Sequence, residues 1–292
     1  MSAGIFGASL DPDEREDYIY RKSMWASNGK GFAEPYDSVM SFLSHGNLKP
    51  LGKIPVESWL LPKPCYDDLP LLTLENFVTF IDANGCLEYA DTVEKFVSEL
   101  EEDIPVMIGV DHSLTGGAFK AVKSRYPDLS LIVLDAHFDV ISLPTRCALN
   151  QYDLENNPHT PFCATDPYIW SRSDSYTNES FLKIALDRGW LEPNELVVMG
   201  VRDNPPIDSK IRDHRVKQFI EEYYSPVDNG AERILGQKLD HRDIREVTNW
   251  IKELQSEHVY ISIDIDVGPL DILSSRFKPN RGLTRTPHLC AH

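Results

Sequence analysis

Three short segments hold most of the residues that could do chemistry. Asp135-Ala136-His137-Phe138-Asp139 sets a carboxylate, an imidazole and a second carboxylate at i, i+2 and i+4. Ser262-Ile263-Asp264-Ile265-Asp266 sets two carboxylates at i and i+2. Gly109-Val110-Asp111-His112-Ser113 contributes another imidazole. In extended backbone, residues two apart point to the same side, so each set is able to converge on one point. Asp135, Asp139, Asp264 and Asp266 with His112 and His137 make four carboxylates and two imidazoles. Carboxylates crowded together repel one another unless cations neutralise them. A donor set of carboxylate and imidazole without thiolate suits a first-row divalent metal. Mn²⁺ is the natural occupant and Ni²⁺, Co²⁺ or Fe²⁺ are alternatives. Two such ions would nearly balance four negative charges. Singly, an Asp at a strand end is ordinarily a cap and a lone His a hydrogen-bonded structural residue. Only the three segments together point to a metal centre.

The elements around these segments give them a common address. Ile104 to Gly109, Leu129 to Leu134, Leu196 to Val201 and Val259 to Ile263 are short apolar runs of the kind that form buried strands. Helical spacing is expected over Glu88 to Leu100, Leu114 to Arg125, Glu179 to Arg188, Ile207 to Tyr224 and Arg242 to Ser256. Strands alternating with helices imply right-handed crossovers and a parallel sheet covered on both faces. The expected fold class is therefore α/β, a three-layer α/β/α arrangement with a mainly parallel central sheet. Ligands in such sheets lie beyond the carboxyl ends of the strands, where the three segments fall. Pro144 to Asp174 lacks periodicity and reads as a long loop, and Ser58 to Leu61 and Phe77 to Ile81 read as strand-like. With no repeat or linker, residues 1–292 are expected to form one domain, of which 1–90 are the least readable part.

Composition narrows the function classes. Forty-one per cent of the 292 residues are hydrophobic and 26% are charged, which excludes a disordered chain. No run of about 18 apolar residues is present, so no membrane span is expected. The N-terminus has no basic start followed by an apolar stretch, so no secretory signal is expected. A formal net charge of −17 disfavours nucleic acid and anionic membrane surfaces and weakly favours a cationic substrate. The five cysteines are scattered, without a CxxC pair, as expected of a reduced, cytoplasmic protein lacking structural zinc.

The three segments resemble, in order, motifs of the ureohydrolases, the arginase and agmatinase family of binuclear manganese enzymes that also includes formimidoylglutamases. Asp-Ala-His-x-Asp and Ser-x-Asp-x-Asp match fully. Gly109 to Ser113 differs from Gly-Gly-Asp-His-Ser only at Val110. Met199 to Arg202 resembles the family's Gly-Ile-Arg segment, and the resemblance spans roughly residues 90 to 285. It implies that His112 binds one metal and His137 the other. Asp135 and Asp264 would then bridge, and Asp139 and Asp266 would complete the shells. It further implies a hydroxide between the metals that attacks a guanidinium carbon, releasing urea and an amine. His159, in the loop after the Asp-Ala-His-x-Asp strand, is the implied proton shuttle, since histidine holds both protonation states near neutrality. A small cationic guanidino or amidine substrate and a trimeric or hexameric homo-oligomer are implied as well.

Several positions depart from the pattern. Val267-Gly268-Pro269-Leu270-Asp271 stands where the family continues x-x-Asp-Pro, so a carboxylate supporting the metal ligands is missing or shifted. Arg281 to Arg285 resembles the family's Gly-Leu-Thr segment, but Pro287 occupies the place of a guanidinium-binding Glu. The tail to His292 shows no strand or helix pattern, as expected of a shortened end. Val140 to Pro144 lacks the Asn of the arginine-binding members, which points towards agmatine or another guanidino or formimidoyl compound. Arg202-Asp203 is expected either to face the site or to form a surface ion pair. Against the hydrolase stands a catalytically silent relative that keeps the metals and serves as a binding or structural subunit. A single-zinc deacetylase-type enzyme fits less well, because Asp264 and Asp266 are paired.

Overall fold

The computed structural model describes residues 2–29, 34–43, 48–208, 210–236 and 256–267. The chain divides into two compact units, Met1–Val122 with Ser175–Asn178, and Lys123–Asp174 with Glu179–His292. The expected helix at Arg242 to Ser256 lies outside the described residues except for its last position. So do Asp271, Arg281 to Arg285, Pro287 and the tail.

The first unit contains, in chain order, β1 (Ala3–Ala8), α1 (Glu16–Asn28), α2 (Pro35–Phe42), β2 (Leu48–Lys53), α3 (Leu74–Asp82), α4 (Gly85–Ser98), β3 (Ile104–Gly109) and most of α5 (Thr115–Arg125). Its sheet has the order β2-β1-β3, and both pairings are parallel. Ala3 pairs with Ile104 and Ala8 with Gly109, so β1 and β3 end side by side. Ile5 and Phe6 of β1 are buried. Gly7 lets α2 lie close, since a Cβ there would come within 2.8 Å of Tyr36. The same device joins α5 to α4, where a Cβ on Gly117 would meet the Ala90 carbonyl at 1.9 Å.

Two expectations fail here. Phe77 to Ile81 lies inside helix α3, which Thr73 caps by accepting the Asn76 N–H at 3.3 Å. Phe77, Val78 and Ile81 are buried on one face of it. A five-residue apolar run cannot distinguish strand from helix, and the cap at Thr73 was the deciding signal. Ser58–Leu60 is a 3₁₀ turn.

The second unit contains β4 (Ser130–Leu134), α6 (Leu143–Asn156), α7 (Phe181–Asp187), β5 (Leu196–Val201), α8 (His214–Asp228), β6 (Glu232–Leu235) and β7 (Val259–Ile263). Its sheet has the order β6-β5-β4-β7, again with every pairing parallel. Ile132, Val197, Met199 and Ile234 form its buried centre, with Leu134 and Val259 packed against them. Leu134 pairs with Met199 on one side and Ile263 on the other, so β4, β5 and β7 reach their carboxyl ends together.

The expected loop at Pro144 to Asp174 is also corrected. Its first half is α6, with Ser142 as N-cap and Pro144 in the first turn. The helix buries Leu143, Thr145, Cys147 and Leu149, so polar Thr145 and Cys147 obscured its apolar stripe. The helix expected from Ile207 begins instead at His214, because the Asp213 side chain accepts the Arg215 N–H at 2.8 Å and starts it there. Among the described residues, no helix is long and apolar enough to cross a membrane.

Candidate metal centre

Strand register brings the ligand-type residues of the second unit together. The Asp135 N–H donates to the Met199 carbonyl at 2.9 Å and the Asp264 N–H to the Leu134 carbonyl at 2.8 Å. Both chains thus leave the sheet still laddered to β4 or β5. Past that point the Arg202 N–H donates to the Ala136 carbonyl at 2.8 Å, holding the segment from the β5 side. Gly200 makes this approach possible. Its φ is +109°, and a Cβ there would lie 2.8 Å from the Asp135 carbonyl oxygen.

Asp135, His137 and Asp266 each offer one ligand atom, all within 4.8 Å of one another. His137 Nδ1 lies 2.9 Å from Asp266 Oδ2 and 3.5 Å from Asp135 Oδ1. Asp135 is 1% exposed, and the other two side chains are partly open to solvent. Backbone donors fix the carboxylates. The His137 N–H reaches Asp135 at 2.8 Å, the Ala136 N–H reaches Asp266 at 3.1 Å, and the Asp266 N–H reaches Asp264 at 2.9 Å. Burial alone would lower the His137 pKa, but hydrogen bonds to Asp135 and Asp266 and the charge of Asp139 override it and push it up to about 12. The carboxylates of Asp135 and Asp266 thus favour a positive charge beside them. Two hard carboxylates and an imidazole on one point fit a first-row divalent cation.

Asp139 belongs to the same segment. Its φ of +48° lies in the left-handed region, uncommon for a residue with a side chain and concentrated at functional sites. Asp203, just past β5, sits beside the cluster. Burial pushes its carboxyl up to about 7, while the charge of His137 and hydrogen bonds from Tyr223 and the Phe138 N–H pull the other way. Of the two outcomes expected for Arg202-Asp203, Asp203 takes the one facing the site.

In the first unit His112 is buried, at the start of a 3₁₀ turn, His112–Leu114. Asp111 caps this turn by accepting the Ser113 N–H at 2.8 Å, and burial pushes the Asp111 carboxyl up to about 6. His159 stands exposed just beyond α6, its backbone N–H donating to Asn157 at 3.0 Å. It belongs to none of the ligand groups found among the described residues. Two residues of α8 that touch the segment from Phe138 to Ser142 escaped the sequence reading, Glu222 and Tyr223. They lie far along the chain from the motifs, and only tertiary packing brings them near.

A model of the arginase family matches residues 47–274. The arginase of Staphylococcus aureus (strain MRSA252) is 24% identical over 214 residues, covering 70% of this chain and 62% of that protein. An agmatinase of Bacillus cereus is 38% identical over 52 residues, 17% of this chain and 18% of that one. The chain thus spans less than two thirds of the length of either relative. Proclavaminate amidino hydrolase from Streptomyces clavuligerus superposes with a TM-score of 0.52 at 18% identity, over 91% of this chain and 68% of that one. That likeness establishes the fold, and the expected α/β/α class is the observed one. With most of its length matched by the family model and the parallel sheets in place, the chain belongs to the arginase family.

Proposed function

We propose that the chain is a binuclear metal hydrolase that cleaves a C–N bond in a linear guanidino or amidine compound, acting as one catalytic domain. The observation that carries this reading is the convergence of Asp135, His137 and Asp266 at the carboxyl ends of β4 and β7. Arginase-family relatives are hydrolases of amidine C–N bonds, and the carboxylate-imidazole donor set suits their divalent metals. His112, Asp135, His137, Asp139, Asp264 and Asp266 are the proposed ligands, and Mn²⁺ the proposed ion. Bound there, the ions supply Lewis acidity and a water acidified to near-neutral pKa.

The protein's own groups do the rest. Backbone N–H donors hold Asp135 and Asp266 in place, so the cluster is organised before a cation arrives. Asp139 adds negative charge on the side of His137. His159 is the proposed proton donor to the leaving amine. The balance is one guanidinium and one water in, urea and a protonated amine out. The net charge of −17 favours a cationic substrate, and the lack at Val140 to Pro144 of the Asn of the arginine-binding members favours agmatine or another guanidino or formimidoyl compound over arginine. Trimeric or hexameric assembly, a cytoplasmic setting and a role in polyamine metabolism belong to the same reading. A catalytically silent relative fits less well, because such a protein has no physical need of a cation-selecting cluster.

Urea release from agmatine, arginine and a panel of guanidino and formimidoyl compounds, with and without Mn²⁺, tests the proposal. Turnover that needs Mn²⁺ and vanishes in Asp135→Asn supports it. Tight metal binding without turnover on any compound would favour the silent relative. An unaltered rate in His159→Ala would remove the proton-donor assignment.

A further inference from the structure

Helix α8 grips the segment from Phe138 to Ser142 at both ends. Glu222 holds the far end, where it accepts the Ser142 N–H at 2.5 Å and the Ser142 hydroxyl at 3.2 Å. Its Oε2 also accepts the Thr145 hydroxyl at 2.5 Å, and Gln218 donates to that hydroxyl at 3.1 Å. Tyr223, the next residue, holds the near end. Its hydroxyl donates to Asp203 at 3.2 Å, and Asp203 also accepts the Phe138 N–H. The Tyr223 ring packs edge-on against Phe138, with centroids 5.2 Å apart and both side chains buried. Arg233, on β6, closes the arrangement from behind. Its guanidinium lies 5.8 Å from the Phe138 centroid, 5.1 Å from Tyr223 and 4.9 Å from Tyr224.

Between the two grips lies Asp139 in its left-handed turn. A strained residue of this kind persists only where its surroundings over-determine it. We propose that Glu222 and Tyr223 are positioning residues that enforce this turn and so aim His137 and Asp139 at the metal. The inference rests on the metal-hydrolase reading above. A simple helix cap would account for Glu222 alone. It does not account for the neighbouring residue tying the other side of the same turn through Asp203, or for the buried aromatic contact that aligns the two.

The test is a Mn²⁺ titration of the metal-free protein by calorimetry, for the parent, Glu222→Gln, Tyr223→Phe and the double variant. Glu221→Gln, at the exposed neighbouring position, is the control. Glu222→Gln and Tyr223→Phe should each weaken Mn²⁺ about 10–100-fold, the range for groups that orient metal ligands. The control should match the parent, and Glu222→Asp should recover part of the loss. Thermal unfolding of the metal-free variants separates a merely structural role, which lowers the unfolding temperature and leaves the dissociation constant of the folded protein unchanged. That pattern overturns the proposal, as does parent-like binding in the double variant. A parent that binds no Mn²⁺ would refute the metal-hydrolase reading itself.

Discussion

Lys22 is fully buried in the first unit, and its removal is the sharpest test of how that unit is held together. Its ammonium lies 2.5 Å from the Asp11 carbonyl and 3.3 Å from the Asp11 carboxylate. The Tyr18 hydroxyl donates to the same carboxylate at 2.9 Å. The ammonium also sits over the Phe77 and Tyr18 rings, at 5.1 and 5.8 Å from their centroids. Burial pulls the Lys22 pKa down and pushes that of Asp11 up, while each partner's charge opposes the shift of the other. Lys22→Met keeps the volume and removes the charge, leaving the Asp11 carboxylate with Tyr18 but without its cation. Breaking a buried pair from one side costs about 3–5 kcal/mol. At about 2–4 °C per kcal/mol for a chain of this size, the unfolding temperature should fall by roughly 6–20 °C. Adding Asp11→Asn removes the stranded charge and keeps an acceptor for Tyr18, so the double variant should recover most of the loss. Urea and thermal unfolding of the three proteins measure both effects. A Lys22→Met protein within about 0.5 kcal/mol of the parent, or a double variant no better than the single, would mean that the Lys22–Asp11 pair does not hold this unit together.

Other consequences follow from single contacts. Asp266→Asn keeps an acceptor for the Ala136 N–H but removes the anion beside His137. Mn²⁺ affinity should fall at least 100-fold, while the metal-free protein loses only about 1–3 kcal/mol in urea unfolding. Gly117→Ala forces a Cβ to within 1.9 Å of backbone at Ala90, and should cost more than about 2 kcal/mol in the same assay. Hydrogen bonding to Arg215 holds Asp213 down to about 2, below the usual carboxylate value near 3.8. This depressed group stabilises the fold above pH ~4, and the contribution disappears as pH falls through ~2. The side chain is 24% exposed, so screening reduces the gain to about 1 kcal/mol. Asp213→Asn, which still caps α8, should flatten the acid limb of stability between those pH values by that amount.

Much of the second unit was legible because its strands are short, apolar and end in motif residues. Leu196–Val201 and Val259–Ile263 match their expected limits, and the register that brings Asp135 beside Asp264 follows from parallel pairing. The first unit was harder. β1 is six residues with two glycines, so its place at the centre of a sheet leaves little trace in periodicity. Helix α6 was hidden because it buries Thr145 and Cys147 instead of an aliphatic stripe. At the site, spacing singled out Asp135, His137 and Asp266, which the fold brings together, but could not single out what supports them. Asp203, Glu222 and Tyr223 reach the Phe138–Ser142 segment through packing between residues 65 to 85 positions apart, which no local pattern encodes.

The most direct measurement is the metal content per chain of protein supplied with Mn²⁺ and freed of excess ion, read by elemental analysis alongside urea release. Two tightly held ions per chain are expected, with turnover that falls as they are removed and returns when they are restored. No ion held, or one held weakly in the parent protein, would contradict the binuclear centre.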